Sequence, residues 1–97
     1  MTDHIIVFAR ITPKPQFYEK VEDTLLKVIP MALDGPGCLA LNLYKGKEDD
    51  SFYVYEVWEN EKAHAYHAAQ EYTKEALKNF KMWLSKPIEV IDLSKMI

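Results

Sequence analysis

The 97-residue chain carries 12 basic and 15 acidic side chains, a net charge of -3, and is 48% hydrophobic and 28% charged. That fits one soluble globular domain with no room for a second core, and the interspersed acidic balance argues against nucleic-acid binding, which needs a positive surface. No apolar run is long enough to span a bilayer, Met1-Thr2-Asp3-His4 shows no secretory leader, and the single cysteine, Cys38, cannot form an internal disulfide; a cytoplasmic protein is expected.

His4 to Ile11 reads as a first strand, apolar on both faces and so covered on both sides. Thr12-Pro13-Lys14-Pro15 ends it, and Pro15 suits the first turn of a helix, where its missing N–H costs little. Gln16 to about Leu33 has helical spacing of Phe17, Val21, Leu25 and Val28; Pro30 should kink this helix or end its regular part near Ile29. Asp34-Gly35-Pro36-Gly37 is a turn. Cys38 to Tyr44 is a second strand, with Leu39, Leu41 and Leu43 on one face. Lys45 to Ser51 is a hairpin connection whose Glu48-Asp49-Asp50 run reads as a solvated tip.

Phe52 to Trp58 is a third strand, with Phe52, Val54, Glu56 and Trp58 on one face and Tyr53, Tyr55 and Val57 on the other. It turns directly into a helix that Asn60 can cap, with Glu61 in the first turn. Ala63, Tyr66, His67 and Gln70 share one helical face. A break is expected near Glu71-Tyr72-Thr73, with Thr73 capping a further helix whose stripe is Ala76, Leu77, Phe80, Trp83 and Leu84. Ile88 to Leu93 is the last strand. The order β-α-β-β-α-β predicts a ferredoxin-like α+β fold, a four-stranded antiparallel sheet with its helices on one face. Strands that are apolar on both sides leave the other face bare, so a second copy packed sheet against sheet, a homodimer, is expected.

If the helix folds back on the third strand, Glu56, Trp58 and His67 converge. Imidazole titrates near neutral pH, so His67 can take a hydroxyl proton or one next to a carbonyl; its alternative is a buried histidine satisfied by a carbonyl or by Glu56. Glu56 either orients His67, carries a proton itself, or pairs with Arg10. Trp58 offers a flat wall for an aromatic ligand or simply packs in the core. His64, Tyr66, Phe80, Trp83 and Arg10 complete the expected substrate-binding set. His64 and His67 with Glu71 have metal-ligand spacing, but only His4 is available as a partner, and no metal is expected. Cys38 has no basic neighbour in sequence, so a reactive thiolate is not supported.

Gly35-Pro36-Gly37-Cys38, and Glu56-x-Trp58-x-Asn60 followed by Ala63 and His67, resemble the turn and signature motifs of the antibiotic biosynthesis monooxygenase family. Element order and length match as well. The resemblance implies a dimeric α/β barrel with a pocket between helices and sheet in each subunit. It also implies cofactor-free oxygenation by dioxygen of a quinol or similar small aromatic, quinone-like substrate, for which the chemistry of the residues themselves makes His67 and Glu56 the expected catalytic pair. Other branches of the family degrade haem or isomerise a small phosphorylated sugar. In the haem-degrading branch the strand-one Asn, helical Trp and iron-ligating His correspond here to Ala9, His67 and Leu77, so no haem is implied. The alternatives are a proton-transfer isomerase of a small carbonyl compound, for which Arg10 and Lys86 are the only basic hints, and a non-catalytic dimer that binds a hydrophobic ligand.

Overall fold

The computed structural model describes residues 4–97; residues 1–3, read above for a leader, lie outside it. Strand β1 (Ile5–Ile11) is followed by a single 3-10 turn at Pro15–Phe17 and helix α1 (Tyr18–Leu33). Strands β2 (Cys38–Lys45) and β3 (Phe52–Trp58) form a hairpin. Helices α2 (Glu61–Ala68) and α3 (Glu71–Trp83) then lead to strand β4 (Glu89–Leu93). The four strands pair antiparallel in the order β2-β3-β1-β4. This is the ferredoxin-like α+β arrangement.

Three expectations about helix continuity, helix start and strand register change. Pro30 neither ends nor interrupts α1, which runs through it to Leu33. Pro30 is exposed, so the carbonyl one turn back that loses its N–H partner has water in reach. The break between α2 and α3 falls at Ala69 and Gln70, so Thr73 is the third residue of α3 and not its cap. In β2 the register shifts between Cys38 and Ala40, which bulges Leu39 outward to 52% exposure. The extra residue places Cys38 opposite Trp58 on the helix side, with Leu41 and Leu43.

The core lies between α1, α3 and the near face of the sheet. Val21, Leu25 and Ala32 of α1 and Ala76 and Phe80 of α3 meet Ile11, Leu41, Phe52, Val54 and Leu84. Helix α2 contributes no buried residue to it. It is held as a cover at its N-terminal end instead. Asn60 accepts from the Ala63 N–H at 2.9 Å, and the Glu59 N–H donates to the Gly37 carbonyl at 2.7 Å. Gly37 has φ +80°, and a Cβ there would strike the Ala63 methyl, so only glycine lets the turn before β2 approach α2 this closely.

Coverage stops short of β4, whose residues are all exposed, including Val90 on the helix side at 57%. The far face of the sheet carries Ile6, Phe8, Tyr53, Tyr55 and Val57, half-buried, with the exposed Ile91 and Leu93. Its polar corner is made by the hairpin. Asp49 accepts from Arg10 Nη2 at 3.0 Å, from the Tyr53 hydroxyl at 2.7 Å and from the Ser51 N–H at 3.1 Å. Thus the acidic run is folded onto the sheet at Asp49 and is not simply a solvated tip. Among the described residues, no helix is long and apolar enough to cross a membrane.

Candidate active site

Strand alternation sets Glu56 and Trp58 on the face that α2 covers, and one helical turn sets His64 and His67 above them. The Trp58 indole, 1% exposed, donates from Nε1 to Glu56 Oε1 at 2.9 Å. His64 Nε2 stands 3.7 Å from the same oxygen. The His67 ring stacks on the Trp58 indole, with centroids 4.6 Å apart and planes 23° from parallel. His64 leans on the indole at 6.1 Å and Tyr72 on His67 at 6.3 Å. The two-residue alternation of β3 and the close approach at Gly37 therefore bring an acid, an indole and two imidazoles together.

His67 Nδ1 is buried and makes no hydrogen bond. Burial lowers the His67 pKa below its ordinary 6.5; Glu56 opposes that shift and His64 adds to it. Desolvation wins because the charged imidazolium loses water and gains no contact partner. At neutral pH the ring is neutral, and an unpartnered imidazole nitrogen is a free hydrogen-bonding atom, in one tautomer a base. Burial, then Glu56, pushes the Cys38 thiol up, so this cysteine is no thiolate nucleophile.

Beside His67 the layer between helices and sheet is hollow. A cavity of about 140 Å³ is lined by Glu56, His67 and Thr73 and otherwise mostly by apolar side chains, among them Leu25, Val54 and Phe80. It shares Leu77, Phe80 and Ile88 with a larger open groove of about 570 Å³ at the β4 side. The cavity thus has an apolar body, a small set of polar groups, and a side that meets the open groove between α3 and the segment before β4.

Of the residues singled out in the sequence, His67, Glu56 and Phe80 line the cavity. Trp58 does not: it lies behind His67 as the plate on which the imidazole stacks. His64 is a half-buried neighbour of Glu56. Tyr66 is 51% exposed and lines a separate surface groove with Pro36, Gly37 and Asn60, because the eight-residue α2 packs on one narrow stripe only. Trp83 stacks on Phe17 at 6.1 Å under Lys20, away from the cavity. Arg10 points to the far face of the sheet, where it pairs with Asp49 and, at 3.7 Å, with Glu89. An Arg10–Glu56 ion pair is excluded by that alternation. Thr73 was missed as a site residue: its helical position three residues before Ala76 and seven before Phe80 puts it on the inward stripe.

A family model described as antibiotic biosynthesis monooxygenase matches residues 4–79. The chain belongs to the antibiotic biosynthesis monooxygenase family. Among curated relatives, the uncharacterised protein sll1783 of Synechocystis sp. is 33% identical over 89 residues, 91% of this chain and 60% of that protein; the chain thus spans about 60% of the relative's length. Among solved structures, Rv0793 from Mycobacterium tuberculosis superposes with a TM-score of 0.93 at 19% identity, covering 98% of this chain and 97% of that one. PA3566 from Pseudomonas aeruginosa does so at 0.91 and 22%, covering 100% and 97%. At such identities these structures are evidence of a shared fold, and within the family the chemistry is set by the site.

Proposed function

We propose that this family member is a cofactor-independent monooxygenase of a quinol or similar electron-rich hydroxyaromatic. The observation that carries the reading is the buried, unpartnered Nδ1 of a neutral imidazole at the edge of an apolar cavity. His67 takes the hydroxyl proton of the bound aromatic. Trp58 holds the ring plane of His67, and Glu56, fixed by the indole N–H, lies close enough to favour the imidazolium that forms. The apolar walls desolvate the delocalised anion, which raises its reducing power toward dioxygen. For a quinol the balance is one quinol plus one dioxygen giving one hydroxyquinone plus one water. One oxygen atom enters the ring, the other leaves as water, and the substrate supplies all the electrons.

The same reading takes the working unit as a homodimer joined through the far faces of the two sheets. The contiguous apolar residues on β1, β3 and β4 support it, since a surface of that kind favours association over exposure to water. Light scattering at micromolar concentration should return twice the 11.3 kDa chain mass. Oxygen uptake with a menadiol-type substrate tests the chemistry. Turnover above autoxidation in the wild type and a loss of at least about a hundredfold in His67→Ala is expected of a general base. Equal rates in the two proteins would remove His67 from the reaction.

A further inference from the structure

Thr73 is nine-tenths buried, with 9% exposure, and its Oγ1 makes no hydrogen bond. A threonine inside a helix ordinarily satisfies its hydroxyl on the carbonyl one turn back. Thr24, which lines the same cavity, does so, donating to the Lys20 carbonyl at 2.8 Å. Burial above all raises the Tyr72 phenol's pKa; hydrogen bonding with Thr73 is the smallest influence and opposes it, but the Thr73 hydroxyl makes no hydrogen bond of ordinary geometry. Among the described residues, two that line the cavity each carry a buried side-chain atom with no partner, Thr73 Oγ1 and His67 Nδ1, one on each of two successive helices.

Buried polar atoms left without partners are costly, and a pair of them around one apolar space marks where a ligand's own polar atoms belong. The volume limits the ligand. About 140 Å³ is close to the size of an apolar cavity that accepts one benzene ring. Anything larger must extend past Leu77, Phe80 and Ile88 into the open groove.

We propose that Thr73 is the specificity-determining residue of this cavity: it binds a second ring oxygen of the substrate while His67 binds the first, so the site selects single-ring or ring-ended aromatics carrying two oxygens over those carrying one. The proposal rests on the oxygenase reading for the role of His67 but concerns binding alone. The Thr73 hydroxyl donates to or accepts from the second oxygen and takes no proton in the reaction.

The test is an anaerobic titration of the full chain with hydroquinone and with 4-methylphenol, which has the same shape and a methyl in place of one hydroxyl. Binding is followed by the ring resonances of His67. Wild type is expected to favour hydroquinone by about fivefold, the worth of one ordinary hydrogen bond. Thr73→Val should lose or reverse that preference with 4-methylphenol affinity kept or improved, and Thr73→Ser should restore it. The same preference in Thr73→Val as in wild type overturns the assignment, as does a Thr73→Ser that behaves like the valine variant. Failure of either probe to shift His67 also overturns it. Because no oxygen is present, selective binding without later oxygen uptake would sink the oxygenase reading and leave Thr73's role standing.

Discussion

The Trp58–Glu56 hydrogen bond offers a test of whether the cluster is held together as described. The indole is buried, the Glu56 side chain is 14% exposed, and the bond is 2.9 Å long. A hydrogen bond to an ionised acceptor is worth about 1.5–3 kcal/mol net. Trp58→Phe removes the donor and part of the ring, so it should destabilise by about 3 kcal/mol, the lost bond plus about 1 kcal/mol of lost packing. Glu56→Leu removes the acceptor and strands the indole N–H, at about 1–3 kcal/mol. In the double variant neither group is stranded. The double-mutant cycle should therefore show a coupling of about 1.5 kcal/mol, the low end of the range, because His64 at 3.7 Å partly replaces the lost donor in Trp58→Phe. Urea unfolding followed by far-UV circular dichroism measures it without relying on tryptophan emission. Protein concentration must be matched, since association would add to apparent stability. A coupling within about 0.4 kcal/mol of zero would mean that the bond does not organise the site.

Two further outcomes follow from the same geometry. The His67 pKa is depressed in the folded protein, so between that value and 6.5 the unfolded chain binds more protons; stability should fall as pH drops below about 6.5, and His67→Phe should remove that part of the slope in urea titrations at several pH values. Gly37→Ala combines a left-handed backbone with a collision at Ala63, and should cost at least about 2 kcal/mol in thermal or urea unfolding; a cost below about 0.5 kcal/mol would show that α2 is not tied to the turn.

The fold was legible in the sequence because its signals are periodic. Two-residue alternation in Phe52–Trp58 and the spacing of Val21, Leu25 and Val28 fix element type, and the β-α-β-β-α-β order fixes topology. The meeting of Glu56, Trp58 and His67 was legible for the same reason, since strand and helix are contiguous and Asn60 sets where one becomes the other. What alternation misassigns is whatever an extra residue shifts, and the bulge at Leu39 moves Cys38 to the helix side without any mark in composition. Arg10 attracts notice in the sequence as one of few basic residues near the strands, but strand parity puts it on the face opposite Glu56, where it pairs with Asp49 and Glu89. Asp49 reads as solvated because three successive acidic residues carry no sign of which one folds back onto Tyr53 and Arg10. Thr73 reads as a cap by residue type, while its role depends on where α3 starts, and helix boundaries are the least certain part of a sequence reading.

The claim that matters most is that His67 is the proton acceptor, and the pH profile of kcat/KM for oxygen uptake reports on it in the free enzyme. Activity should rise with pH through an apparent pKa below 6.5 that coincides with the titration of the His67 ring followed by NMR, and the limb should vanish in His67→Ala together with most of the rate. A profile that is flat across this range, or one whose limb survives in His67→Ala, would contradict the account.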